Sequence, residues 1–362
     1  MANFYNLTVK EVRKQTEDAV AITFDIPEDL KSTFSYKHGQ YITLKLDVNG
    51  QSYRRPYSIC SNPYVDDGIQ VASKRVEKGV VSNYLNDYVK EGDEIGVFPP
   101  MGKFTTPLDP EQQKTYILFA GGSGITPMMS IIRTVLNQEP KSMIMLLYGN
   151  DDQASIIFDE DLNQLQELYG ERLKIFHSLK YPPEDWEGDT GILSKDKILE
   201  FLDRYSISKD DNIEYFICGP GGMIEGAKQS LEERFVPDER IHIEYFTAPL
   251  PDLEEAEKEM KGNGESSGED FEVAEVTILL DDEEHTIHVK PDQKILEVAI
   301  EEDLDPPFAC QMGICTTCMA YLHEGKVEME ENEGLTDQDV EDGYILTCQS
   351  HPRTPKVKVE YE

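Results

Sequence analysis

TYILFAGGSGITPMMSIIRTVLNQ, residues 115–138, runs from an apolar segment through a glycine turn into apolar residues at helical spacing. That reads as a buried strand, a tight turn and a helix, and the pattern then repeats. MIMLLYGN (143–150) is a second apolar strand, EDLNQLQELYG (160–170) a helix and LKIFHSL (173–179) a third strand. SKDKILEFL (194–202) follows, then IEYFICGPGGM (213–223) and the helix IEGAKQSLEERF (224–235). Alternating strands and helices predict a parallel α/β sheet over 107–248.

Upstream the period changes to two. Tyr41, Thr43 and Lys45 alternate with Ile42, Leu44 and Leu46, and Asn49-Gly50 follows as a hairpin turn signal. Short strands broken by Gly, Pro and Asp predict an antiparallel barrel over 1–106. Downstream, residues 249–272 hold Pro, Gly, Ser and many acids but few apolar side chains, the composition of a flexible acidic linker. EVTILLDDEEHTIHVK then reads as a hairpin, KILEVAIEEDL as a helix and KVKVEYE as a closing strand, making a last domain of 273–362.

That last domain carries Cys310, Cys315, Cys318 and Cys348, spaced C-x4-C-x2-C and, after 29 residues, C. The spacing is that of plant-type [2Fe–2S] ligation, with three thiolates on one tight loop. Gly313, Thr316 and Thr317 suit a loop whose backbone N–H groups turn toward sulfur. Disulfides would require an oxidising compartment, and zinc sites usually show paired C-x2-C arms.

With 71 acidic and 34 basic residues the net charge is −37, which disfavours a nucleic-acid partner. The charge has two readings, a solvated acidic surface or a field that steers a basic redox partner. No apolar stretch approaches a membrane span. The start, MANFYNLTVKEVRK, shows no targeting segment, so a cytoplasmic location is expected. Cys60 and Cys218, left as single thiols, fit a reducing cytosol.

Three further stretches suit cofactor chemistry. RRPYSICS (54–61) offers an arginine for pyrophosphate, a tyrosine that can stack on a flavin and a serine that can hydrogen-bond its reactive nitrogen. Lys74, Arg75 and Val76 follow, and Gly79-Val80-Val81-Ser82 opens a helix, a natural anion site. Gly121-Gly122-Ser123-Gly124 leading to Thr126-Pro127 is a nucleotide-type turn, although it lacks the G-x-G-x-x-G pattern. Cys218-Gly219-Pro220-Gly221-Gly222-Met223 again sits between a strand and a helix. Cys218 has two readings, contact with a nicotinamide ring or a small buried thiol.

RRPYS, GGSGITP, YGN, CGPGGM and the cysteine set, in this order, resemble the ferredoxin–NADP reductase superfamily with a fused plant-type ferredoxin of β-grasp fold. Within it the chain is similar to oxygenase reductases of the phenylacetyl-CoA epoxidase type. The resemblance implies FAD held by Arg55, Tyr57 and Ser58, with Lys74 to Val76 and Gly79 to Ser82 around its phosphates. It implies NAD(P)H across Gly121 to Pro127 and Cys218 to Met223, and a [2Fe–2S] cluster on the four cysteines. Phe246 is a candidate to cover the flavin, or else a core phenylalanine.

In HSLKYPPEDWEGDTG the resemblance puts Lys180 where NADH-dependent relatives carry an acid. A lysine there favours a 2′-phosphate, and Asp151 and Asp152 oppose it, so NADPH is the expected donor. Hydride chemistry delivers two electrons and the cluster takes one, so a flavin between them is expected to split the pair. No E-x-x-H helix pair or haem signal is visible. The expected acceptor is therefore a separate di-iron or Rieske oxygenase. A soluble ferredoxin or cytochrome carrier, or a redox-sensing role, is the alternative.

Overall fold

The computed structural model describes residues 4–205, 207, 212–246, 271–280, 283–302 and 304–361. The chain divides into two units, Phe4–Phe246 and the described residues from 271 onward. The expected acidic linker lies outside the described residues except for Phe271 and Glu272.

The first unit opens with six strands: β1 (Tyr5–Thr16), β2 (Ala19–Phe24), β3 (Tyr41–Val48), β4 (Gln51–Ser58), β5 (Ile69–Lys74) and β6 (Glu94–Met101). They pair antiparallel in the order β4-β3-β6-β1-β2-β5. Ile59, just past β4, bridges Val71 of β5, and this link between the two end strands closes the sheet on itself. Asn49 and Gly50 both take positive φ at the β3–β4 turn, which the twist of a tight hairpin requires. The interior is filled by Leu7, Val9, Ile22, Phe24, Ile42, Leu44 and Val97. Helix α1 (Val80–Asp87) plugs it with Val81 and Leu85.

The strict alternation expected of β3 is broken, because Tyr41 and Thr43 are also buried. Tyr41 lies against Gly102, so part of the outer face is covered too.

Six parallel strands follow: β7 (Thr115–Gly121), β8 (Met143–Asn150), β9 (Leu173–Leu179), β10 (Asp189–Thr190), β11 (Ile213–Cys218) and β12 (Ile241–Glu244). Their order is β10-β9-β8-β7-β11-β12. The chain builds outward from β7 on one side and then returns to add β11 on the other. The topological switch point therefore lies between β7 and β11. Helices α2 (Ile125–Gln138), α3 (Asp159–Tyr169), α4 (Lys195–Arg204) and α5 (Gly221–Glu233) connect the strands. Ala19, Ala21, Cys60, Ala72 and Phe104 of the barrel share one apolar cluster with Met128, Ile132 and Phe216, so barrel and α/β sheet pack as one body.

The second unit holds β13 (Ala274–Leu280), β14 (Glu283–Val289), α6 (Ile295–Glu301), β15 (Met319–Glu324), β16 (Val327–Met329), α7 (Asp337–Glu341), β17 (Tyr344–Leu346), β18 (Ser350–Pro352) and β19 (Lys356–Tyr361). Five strands form one sheet, β14-β13-β19-β15-β17, and β16 pairs with β18. The strand expected to close the domain, β19, lies at the centre, parallel to β13 and antiparallel to β15. Its Val357 and Val359 enter the core beside Val276, Ile278, Ile295 and Ala299.

Candidate functional site

The switch point is built by two glycine turns pressed together. A Cβ on Gly124 would lie 2.0 Å from the carbonyl oxygen of Cys218, and one on Gly121 would lie 2.6 Å from Pro220 Cδ. Only glycine lets the backbones after β7 and β11 approach this closely. Tyr148 donates its hydroxyl to the Gly122 carbonyl at 3.0 Å, and Thr126 donates to the Ser123 carbonyl at 3.0 Å, pinning the start of α2. The 14-residue α2 thus starts at the crevice, its Ile125 N–H taken up by the Gly122 and Ser123 carbonyls. At the neighbouring strand ends, both amide atoms of Asn150 and Nδ1 of His177 are buried without a hydrogen bond. Unpaired polar atoms beside a helix N-terminus suit a polar, anionic dinucleotide. Lys180, adjoining this rim, donates its backbone N–H to the Asn150 carbonyl at 3.0 Å and lays its ammonium over the Tyr181 ring at 4.9 Å.

Three chemically useful side chains meet where β4, β11 and β12 end. Ser58 Oγ donates to Glu244 Oε2 at 3.3 Å. Burial pushes the Glu244 carboxyl up to about 8, with the Ser58 hydrogen bond opposing it, so the acid holds its proton at neutral pH. The Glu244 residue keeps some surface open, but its carboxyl lies in a poorly solvated spot against the buried Ser58. Cys218 is fully buried, and burial, aided by Glu244, drives its thiol well above the usual range. Phe246 packs against the same apolar cluster as Cys218.

On the barrel, Arg54 is buried over the Phe4 ring at 4.9 Å, whereas Arg55 is exposed. Tyr57 packs beside the barrel core, and burial lifts its hydroxyl to about 12. Lys74 reaches toward the turn after β7, its Nζ 3.8 Å from where a Gly122 Cβ would stand. Gly79 is the N-cap of α1, and Ser82 Oγ accepts from the Val76 N–H at 3.0 Å, so this turn is tight. Arg75 is committed elsewhere: it bonds Asn83 at 3.1 Å and Asp87 at 2.9 and 2.5 Å. Val76, Val80 and the exposed Arg55 leave an open surface that an adenine-containing cofactor can cover.

In the second unit Cys310, Cys315, Cys318 and Cys348 are all buried and unpaired by disulfides. Among the described residues no three Cys, His, Asp or Glu side chains gather closely enough for one mononuclear ion. The cysteines gather instead as two interacting pairs, Cys310 with Cys315 and Cys318 with Cys348. The two pairs also interact with each other, Cys318 with Cys315 and Cys348 with Cys310. Two pairs suit a cluster of two irons, each taking two thiolates. The Met312 N–H approaches Cys310 Sγ at 3.4 Å. Gly313, at φ +76°, presses on the backbone of Glu331, and its carbonyl accepts from the Gly334 N–H at 2.7 Å. Thr347 donates both its N–H and its hydroxyl to the Cys318 carbonyl, tying the fourth cysteine to the loop.

Sequence reasoning missed Glu244. IHIE looks like any short strand, and only the pairing of β12 with β11, which puts Glu244 opposite Cys218, reveals it. The pattern of an acid two residues before the expected flavin-covering Phe246 was the available signal.

Residues 6–106 match the family described as the oxidoreductase FAD-binding domain, 118–229 the oxidoreductase NAD-binding domain, and 278–353 the 2Fe-2S iron-sulfur cluster binding domain. The chain is 35% identical to one component of the 1,2-phenylacetyl-CoA epoxidase of Escherichia coli K12, over 100% of this chain and 99% of that protein. It is also 35% identical to the ferredoxin reductase component of 3-ketosteroid-9-alpha-monooxygenase from Rhodococcus rhodochrous, over 98% and 96% of the two chains. The solved structure of phthalate dioxygenase reductase has the same fold, with a TM-score of 0.59 at 23% identity, covering 99% of this chain and 98% of that one. The chain belongs to the family of oxygenase reductase components that join an FAD-binding barrel, an NAD-binding α/β domain and a C-terminal plant-type 2Fe-2S domain in one polypeptide.

Proposed function

We propose that this oxidoreductase takes a hydride from NAD(P)H and passes electrons singly, through FAD and a [2Fe–2S] cluster, to a separate oxygenase. The observation that carries this reading is the meeting of Ser58, Cys218 and Glu244 at the switch point, beside two glycine turns shaped for a dinucleotide. FAD supplies the conversion between two-electron and one-electron chemistry. Arg55 and Tyr57, with Gly79 to Ser82, would hold it on the barrel; Lys74 would serve its phosphates, and Arg75 would act through the Asp87 ion pair that braces α1. Gly121 to Pro127 and Gly219 to Met223 would seat the dinucleotide, with Lys180 on its ribose. Ser58 Oγ and Glu244 Oε2 hold a proton between them, and the neutral Cys218 thiol would lie near the nicotinamide ring without adding charge.

The four cysteines would carry the cluster, and the domains would follow 1–106, 107–248 and 273–362 with the linker 249–272 between. Among the described residues no helix is long and apolar enough to cross a membrane. We place the protein in the cytoplasm, where the unpaired Cys60 and Cys218 are at home. The similarity to an epoxidase component favours an acceptor oxygenase acting on an acyl-CoA such as phenylacetyl-CoA.

Anaerobic NADPH or NADH added to the purified holoprotein should bleach the flavin and then develop the electron paramagnetic resonance (EPR) signal of a reduced two-iron cluster. Cys315→Ser should abolish that signal while flavin bleaching persists. Flavin reduction with no cluster signal in the iron-replete native protein would sink the relay.

A further inference from the structure

Gln349 follows the fourth cysteine and is almost completely buried. Its Nε2 donates to the Gln311 carbonyl at 3.0 Å and lies 3.7 Å from Cys348 Sγ. Its Oε1 accepts from Lys294 Nζ at 3.3 Å. Lys294 pairs at 2.6 Å with Glu330 Oε2, whose Oε1 meets His351 Nε2 at 2.9 Å. The Glu330 N–H returns to the Gln349 carbonyl at 3.0 Å. Four separate segments, at 294, 311, 330 and 349, thus converge on one amide.

Both ends of that amide are occupied, so its orientation is fixed. The N–H end faces sulfur and the oxygen end faces an ammonium. Gln311, whose carbonyl it grips, stands at φ +58°, a costly conformation for a non-glycine residue. The same side chain therefore locks the first turn of the cysteine loop to the distant fourth cysteine. Lys294 stands in an open cleft of about 460 Å³ that runs along α6 down to Gln311 and Cys348. The cleft reaches Lys294, Gln311 and Cys348, while Gln349 itself is buried between them.

We infer that Gln349, oriented by Lys294, is a positioning residue that raises the reduction potential of the iron–sulfur group held by Cys348. An N–H directed at a ligand sulfur stabilises the extra negative charge of the reduced form. Without Lys294 only the Gln311 carbonyl holds the amide, its oxygen end has no partner, and the N–H is aimed less firmly at the sulfur. The inference rests on the reading that the four cysteines carry a [2Fe–2S] cluster.

Iron and sulfide content and the EPR spectrum of the reduced native holoprotein come first; no cluster there overturns that underlying reading. With the cluster present, its midpoint potential is measured by EPR-monitored redox titration of the full chain. Gln349→Leu and Lys294→Met should each shift the reduction equilibrium about three- to tenfold against the reduced cluster, roughly 30–60 mV more negative for one electron. Lys294→Arg, which keeps a donor for Oε1, should restore the native potential, a rescue that a general packing role would not produce. A native potential in Gln349→Leu overturns the inference. If Gln349→Leu fails to hold iron, Lys294→Met decides, and an unchanged potential there overturns it.

Discussion

Glu244 and Lys180 test the flavin unit at the scale of single side chains. The Glu244 carboxyl is raised from the ordinary 4.5 to about 8. Between those values the folded protein binds more protons than the unfolded chain at this group. Its contribution to stability is therefore complete below about pH 4.5 and is lost as the pH rises through about 8. Glu244→Gln should flatten that part of the melting-temperature profile and remove an inflection near pH 8 from the rate of flavin reduction. Profiles that match the native protein's would show that the Ser58–Glu244 couple moves no proton. Lys180→Asp should move the coenzyme preference severalfold toward NADH, read as the ratio of kcat/KM values for the two coenzymes. A constant ratio would remove Lys180 from the ribose site. These residues differ in how visible they are in a sequence. The four cysteines can be picked out because three of them serve one loop and their spacing is local. Gln349 acts through partners far away along the chain and no local pattern marks it, while Glu244 shows only as an acid two residues before Phe246. Arg75 sits in a suggestive basic pair, and its ion-pair partner Asp87 lies on the following helix.

The decisive feature at the scale of elements is the contact between the turns after β7 and β11. No shift of a flexible side chain relieves a Gly124 Cβ placed 2.0 Å from a backbone oxygen. Gly124→Ala should therefore cost about 2–4 kcal/mol of stability in the flavin unit. It should also raise the KM for NAD(P)H more than it lowers kcat with a saturating artificial acceptor. A native melting temperature and KM would show that the turns can separate freely. Two of the three parts were legible from periodicity, since strand and helix alternate cleanly after Lys114 and apolar residues alternate in stretches such as 41–46 before Phe104; the third was legible from linker composition and cysteine spacing. Strand order was less legible. KVKVEYE carries no sign that it belongs in the middle of its sheet, because alternating apolar residues serve a central strand and an edge strand equally well.

The two units can be tested separately at the scale of the whole molecule, because Phe4–Phe246 carries its own shared core. A protein truncated after residue 248 should keep FAD and the NAD(P)H-dependent reduction of ferricyanide, and lose all iron–sulfur absorbance. Residual cluster absorbance in that protein would contradict the assignment of the cysteines. The net charge of −37 is tested on the full chain. If it steers a basic partner, transfer to the acceptor should fall steeply between about 0.01 and 0.15 M salt, as the Debye length contracts from about 30 to 8 Å. Flavin reduction should change far less over that range, and flat delivery would leave the charge as a feature of the solvated surface.

The central place of Lys356–Tyr361 also orders events during synthesis. The flavin unit has all its strands once residue 246 has emerged from the ribosome, whereas the cysteine-bearing sheet lacks its middle strand until about 115 further residues are made. At typical elongation rates that gap is roughly 6–23 s. All four thiols are made within that gap, the last of them, Cys348, only about 13 residues before the middle strand is complete. Iron loading therefore belongs to the last stage of biogenesis, when a reductase half is already folded and able to draw on NAD(P)H.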